Sequence, residues 1–314
     1  MKKLFLLLLG VVSLLLVGCG AIIPQNVEGK PLYFVTDAFG RRVEFGTKPQ
    51  RIVSLNTSID EILLDLVPPE RIAALTYLVD DAAISCAAEK AKQVKGRVYG
   101  ENFEGIVALN PDLVLIASFT GQGYCDALKA AGLKVVACQS ANSVQEIMTF
   151  INQVAEAVGE RERGDELVRG TLAKMGNIRK RALAKNEGKP LRVLALSTMG
   201  IMGPEGPFND LCYYAGLKNA LAEKNVPAQA VLSEELLLEL NPDVIFMPSW
   251  DYSKGNDLNA FAENILKNPL YKDVGAIKNK RIYKLHDQYL YSTSQYTLKA
   301  VEEMAEVCYS FSDQ

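Results

Sequence analysis

The strongest constraint on the fold is that the chain repeats itself. Residues 103–117 read FEGIVALNPDLVLIA, and residues 234–248 read EELLLELNPDVIFMP. Aligned on Glu104 and Glu235, each copy runs through four residues to Leu-Asn-Pro-Asp and then an apolar run. Proline cannot continue a helix, Asn and Asp favour the turn, and a short leucine- or β-branched run after it suits a buried strand. Each copy is therefore expected to be a short helix, a forced turn and a strand, the αβ half of a Rossmann-like unit. Arg51 to Leu55 (RIVSL) has a counterpart in Arg192 to Leu196 (RVLAL). Strands apolar throughout need helices on both faces of a parallel sheet, so two similar α/β lobes are expected, a division that 314 residues accommodate.

Around the lobes the pattern changes. Tyr33 to Phe45 (YFVTDAFGRRVEF) predicts a hairpin turning near Phe39-Gly40. Ser143 to Val158 and Arg161 to Asn186 are strongly helical. The second stretch would measure roughly 39 Å, enough to cross from lobe to lobe as a single backbone helix that permits only small relative motion. Ser58 with Glu61 three residues later reads as a capping box, which gives Glu61 a structural part.

The N-terminus reads as an export signal, with Lys2 and Lys3 before the apolar run Leu4 to Val17. Leu16-Val17-Gly18-Cys19 resembles the bacterial lipobox, so Cys19 is expected to carry lipid. An ordinary signal or an uncleaved anchor with an incidental Cys is the alternative. The expected division is a lipoprotein signal peptide at 1–18, a lipid-anchored tether at 19–30, an N-terminal lobe at 31–142, linking helices at 143–187 and a C-terminal lobe at 188–314. The protein is expected to work outside the cytoplasmic membrane, as a lipid-anchored protein at the cell surface or in the periplasm.

Charge and composition exclude several functions. With 34 Lys and Arg against 37 Asp and Glu, a net charge of −3 lacks the field that concentrates proteins on phosphate backbones, so no nucleic-acid partner is expected. A single His cannot build a multi-imidazole metal cup, and no CxxC pair supports a zinc ribbon or redox site, so no cofactor and no directly bound metal are expected. Beyond Cys19 there are Cys86, Cys125, Cys138, Cys212 and Cys308, an odd number. Cys138 reads as a buried thiol, while Cys212 with Cys308 and Cys86 with Cys125 are candidate bridges. An extracytoplasmic Rossmann-like enzyme is the competing class. However, no glycine-rich phosphate loop follows RIVSL and no GxSxG elbow exists, so the protein is expected not to be an enzyme.

Several motifs in order resemble the helical-backbone (class III) solute-binding lipoproteins of bacterial ABC importers for cobalamin, haem or ferric siderophores. They are Thr36-Asp37-Ala38-Phe39-Gly40-Arg41, Pro49 to Leu55, Glu61-Ile62-Leu63, and Asn102-Phe103-Glu104 leading to Asn110-Pro111-Asp112. In the second half they are Leu232-Ser233 with Glu235, Asn241-Pro242-Asp243, and Pro269-Leu270-Tyr271 leading to Lys278 to Tyr283. The resemblance implies two lobes gripping one ligand, with an ABC permease and its ATPase as partners, membrane attachment through the lipid, and a monomer. It also implies one docking glutamate per lobe, Glu104 and Glu235. The matched repeat supports that pair independently; the alternative is that each only complements its helix dipole, worth about 0.3 to 1 kcal/mol.

In open α/β lobes the loops after the strands face the ligand. The candidate ligand-binding residues on those loops are Tyr77, Tyr99 and Phe119 in the first lobe, and Met199, Phe208, Trp250, Tyr252, His286, Asp287, Tyr289 and Tyr291 in the second. Flat aromatic faces suit a macrocycle or another extended organic ligand. These loops hold no Arg or Lys, although Arg97 and Lys254 stand close by in sequence. That places a mostly neutral corrinoid (cobalamin) first, with haem or a ferric siderophore as alternatives. Tyr77 and Asp287 also sit where cobalamin-binding relatives place ligand contacts. Phe208, Tyr289 and Tyr291 could equally be packing residues. His286 follows a strand directly and is a candidate axial donor to a chelated metal, against a plain hydrogen-bonded surface role.

Overall fold

A computed structural model describes residues 31–100, 102–197, 200–203, 205–222, 224, 232–249 and 257–310. Cys19, Met199, Trp250 and Tyr252, with the expected leader and tether, lie outside the described residues. The described chain opens on a hairpin, β1 (Tyr33–Thr36) antiparallel to β2 (Arg42–Phe45) with Tyr33 opposite Phe45. Its turn uses Gly40 at φ 73°, a left-handed value that costs glycine nothing. The Tyr33 hydroxyl donates to the Ala157 carbonyl at 3.1 Å and fastens the hairpin to the linking helices.

The N-terminal lobe alternates β3 (Ile52–Ser54), α1 (Thr57–Leu66), β4 (Ile72–Thr76), α2 (Ala88–Ala91), β5 (Arg97–Val98), α3 (Phe103–Ala108), β6 (Leu113–Ala117), α4 (Gln122–Ala130) and β7 (Val135–Cys138). Its sheet runs β5-β4-β3-β6-β7, all parallel. Next come α5 (Val144–Ala157), capped by the Ser143 side chain, and α6 (Arg161–Lys185), about 38 Å long. A Cβ on Gly164 would sit 2.4 Å from the Ala155 methyl, so glycine is what lets α5 and α6 approach closely.

The C-terminal lobe comprises β8 (Leu191–Ser197), β9 (Gly200–Ile201), α7 (Phe208–Tyr214), β10 (Leu217–Asn219), α8 (Glu234–Leu240), β11 (Val244–Met247), α9 (Leu258–Leu266), α10 (Gly275–Lys278), β12 (Ile282–Lys284), α11 (Asp287–Leu290) and α12 (Thr297–Tyr309). Its parallel strands run β10-β8-β11-β12, with β9 antiparallel to β8.

Successive residues of each strand serve opposite faces. Ile52, Leu113 and Leu115 join one core that continues through Ile147, Ile151 and Met175 of the linking helices to Phe208, Val301 and Met304. Their neighbours Val53, Val114 and Ile116 join a separate cluster with Leu128, and Leu194, Ile245 and Leu237 form the equivalent in the other lobe. A single core therefore binds both lobes to α5 and α6, while each lobe keeps its own outer layer.

The repeat is a repeated joint. Asn110 and Asn241 both turn at left-handed φ, 46° and 39°. After each, the Asp caps the neighbouring strand: Asp112 accepts from the amides of Gln50 (2.6 Å) and Arg51 (2.9 Å), and Asp243 from that of Arg192 (2.8 Å). The same arginines reach back to the helix ends, Arg51 to the Leu109 carbonyl (2.7 Å) and Arg192 to that of Leu240 (2.6 Å). Ile52 then pairs with Leu113 and Val193 with Val244, in matching register.

Two expectations are corrected. The cap of α1 is Asn56, whose side chain accepts from the Ile59 amide at 3.1 Å. The helix begins earlier than the capping-box reading requires, so Ser58 lies in its first turn and bonds the Thr293 hydroxyl at 2.7 Å, while Glu61 is buried. Neither candidate disulfide forms. Cys86 sits between the lobes with its thiol toward the Gln288 carbonyl at 3.7 Å, whereas Cys125 packs in the outer N-terminal layer and takes a bond from Arg41. Cys212 and Cys308 also stay thiols, and burial pushes Cys308 up to about 12. Cys138 is buried, as expected.

Candidate functional site

Parallel strands end together, so the loops after β3, β4, β5 and β6 share one edge of the N-terminal sheet, and those after β8, β11 and β12 share one edge of the other. Tyr77 follows β4 and Tyr99 follows β5, and their rings stack with centroids 5.3 Å apart at 16°. They remain 44% and 65% exposed, and Phe119 after β6 is 74% exposed. An aromatic platform this open does not serve the core, so it is a surface available to a ligand. Thr76, immediately before Tyr77, is held by Asp60, whose Oδ2 accepts from the Thr76 amide (3.1 Å) and hydroxyl (2.5 Å). Burial pushes Asp60 well above the usual carboxylate range.

On the C-terminal side lies a cavity of about 270 Å³, reached by Ser197, Met202, Phe208, Tyr291, Ser292 and Thr293 among others. Tyr291 is half exposed, and burial together with the nearby Asp287 pushes its hydroxyl upward. Phe208 also lines the cavity, but only as its floor, because 98% of the residue is sunk in the shared core. Ser292 and Thr293 were not legible as site residues, since no strand precedes them directly. The run of hydroxyls in Ser292-Thr293-Ser294 after Tyr291 was the available signal.

Among the other described candidates, Asp287 and Tyr289 are committed to the fold, and His286 is tied to α12 through one ring nitrogen. Asp287 is buried and accepts from the Ser249 amide (2.8 Å) and hydroxyl (3.2 Å), so it ties the β11 loop to α11 rather than facing the cleft. Tyr289 is half buried against the core with the Lys299 ammonium 5.2 Å from its ring. His286 is exposed, but its Nδ1 lies 2.5 Å from Glu303 Oε1. Arg97 is fully engaged, with Nε and Nη2 gripping Asp80 at 2.7 Å each and further bonds to the carbonyls of Ala91, Val94 and Gly96. Those bonds hold the Asp80 carboxyl below its usual range.

Glu104 and Glu235 occupy equivalent places in the first turns of α3 and α8, behind the caps Asn102 and Ser233. Both are exposed, and neither is ion-paired among the described residues.

The profile of the periplasmic binding protein family matches residues 52–289, which contain both repeat copies, both sheets and the cleft edges. The chain belongs to the periplasmic binding protein family. Members of that family are transport substrate-binding proteins, and this chain is likewise a substrate-binding protein that works outside the cytoplasm. No described helix is long and apolar enough to cross a membrane. The ABC transporter substrate-binding lipoprotein YvrC of Bacillus subtilis (strain 168) is 26% identical over 311 residues, covering 95% of this chain and 94% of that protein. An iron-uptake system-binding protein of the same organism is 23% identical over 185 residues, 58% of this chain and 57% of its own length. Among solved structures, the periplasmic heme-binding protein RhuT from Roseiflexus sp. RS-1 superposes with TM-score 0.68 at 26% identity, covering 83% of this chain and 98% of that one.

Proposed function

We propose that this protein is the lipid-anchored binding component of an ABC importer and that its cargo is haem or a ferric chelate. The observation that carries the reading is the open Tyr77–Tyr99 stack, with Phe119 on the same sheet edge. A planar macrocycle would bury against such faces and stack on them, for about 0.5 to 1.5 kcal/mol per aromatic pair beyond area alone. The cavity hydroxyls of Tyr291 and Thr293 supply polar contacts for the rim of the cargo, while Ser197 and Ser292 donate within the protein, to the Gly200 carbonyl and to Glu61. The placing of corrinoid first changes: the relatives above whose names carry a cargo are named for heme and iron.

Cys19 carries the lipid in this reading. Glu104 and Glu235, one at the front of each lobe's repeated helix, meet cationic groups of the permease, and the protein acts as a monomer. Titration of the mature protein with haemin, a ferric siderophore and cyanocobalamin, followed by absorption and by Trp250 fluorescence, tests the cargo. One-to-one uptake of an iron ligand is expected. Tighter binding of cyanocobalamin than of either iron ligand, or binding of none, would sink the reading.

A further inference from the structure

Glu61 is 2% exposed, and no cation pairs with it among the described residues. Its two oxygens divide between the lobes. Oε1 accepts from Ser85 Oγ (3.0 Å) and the Cys86 amide (2.7 Å), both N-terminal; Oε2 accepts from Ser292 Oγ (3.2 Å) and Ser294 Oγ (2.5 Å), both C-terminal. The Gln295 amide nitrogen adds bonds to the Glu61 carbonyl and to Asp65, each at 2.8 Å. A carboxylate accepts only, so four donors from two directions fix its plane and fix the donors relative to each other. Tyr291, Ser292 and Thr293, which line the cavity, form the segment that hangs from Oε2. Asp60, one residue earlier, holds Thr76 beside the platform residue Tyr77. Adjacent carboxylates of α1 thus hold the two facing walls of the cleft.

We propose that Glu61 is a positioning residue for ligand binding: through Ser292 and Ser294 it sets the 291–293 wall, and so Tyr291, against the aromatic platform of the other lobe. This rests on the ligand reading above. Losing a buried acceptor leaves its donors unsatisfied, so Glu61→Gln is expected to weaken haemin binding about tenfold, mainly through faster dissociation. The Ser292→Ala/Ser294→Ala double variant, which leaves the N-terminal half untouched, should do the same, while Ser85→Ala stays within about twofold. In a Tyr291→Ala background Glu61→Gln should add less than about twofold, because the wall it orients is gone. An undiminished effect in that background, or parental affinity in folded Glu61→Gln, overturns the proposal. Should Glu61→Gln fail to fold, the serine pair carries the same comparison with Tyr291→Ala. If the parent takes up no haemin, the cargo reading falls, and amide exchange over residues 291–296 in the ligand-free protein decides separately. Faster exchange in the serine variant supports the positioning, and unchanged exchange overturns it.

Discussion

The two lobes share a skeleton and differ in what they show to the cleft. Both use the same helix, left-handed Asn, capping Asp and returning Arg to seat a central strand. Beyond the strand ends they diverge. The N-terminal lobe raises an open aromatic platform, whereas the C-terminal lobe hollows a mostly apolar cavity with a few hydroxyls and Glu205 on its wall, closed below by Phe208. Strand registers need the joint to stay fixed, while loops at the strand ends carry no sheet bonds and are free to change chemistry. A duplicated frame can thus grip a ligand from two chemically unlike sides.

The sharpest break of this comparison is at Glu104 and Glu235, the proposed docking residues, where the lobes are expected to be equivalent. Charge reversal of both Glu104 and Glu235 to Lys should reduce transport by roughly a hundredfold or more while ligand affinity stays within about twofold. Single reversals should cost similar amounts if the lobes dock symmetrically. A large loss from one and none from the other, in transport measured with vesicles containing the permease, would show that only one lobe engages it.

That equivalence was legible in the sequence because it is local: Glu, Leu-Asn-Pro-Asp and the strand lie within fifteen positions of each other, and the hairpin and α6 are likewise written in contiguous pattern. Glu61 is structural as the sequence suggests, but its partners are not legible there, for the opposite reason. Ser58 lies three positions away and suggests a cap, but the real partners, Ser85, Cys86, Ser292 and Ser294, come from a distant loop and the other lobe. Asp287 looked like a cleft residue because it follows a strand, yet Ser249, from the loop after β11, turns it inward. Periodicity reports which face a residue takes; it does not report which distant donor waits there.

A smaller difference should appear within the joint itself. Asp112 caps two backbone amides and Asp243 caps one. Replacing each with Ala should destabilise the protein by about 2 kcal/mol for Asp112→Ala and about 1 kcal/mol for Asp243→Ala. Denaturant midpoints at unchanged slope would measure this. Equal losses would mean that the second amide bond at Asp112 contributes nothing.

The smallest effect expected is at Asp80, and it tests the charge of the platform side. Hydrogen bonds from Arg97 hold the Asp80 carboxyl below its ordinary 3.8, so the pair adds stability that is present above that value and lost as pH falls through the depressed folded-state value. Asp80 is half exposed at its side chain, 49%, against 12% for Arg97, so solvent screening limits the contribution to under about 1 kcal/mol. Asp80→Asn should therefore lower thermal stability slightly at pH 7, less at high salt, and not at all at a pH below the folded-state value. The same change strips Arg97 of its counter-charge two residues before the platform residue Tyr99. An anionic cargo such as haem, with its propionates, should then bind more tightly at low salt, whereas a neutral one should be unaffected. Tighter haemin binding would mark the N-terminal wall as the side that meets the negative end of the cargo. Weaker binding would instead mean that the Asp80–Arg97 pair shapes the platform and that its positive charge does not meet the anionic end of the cargo.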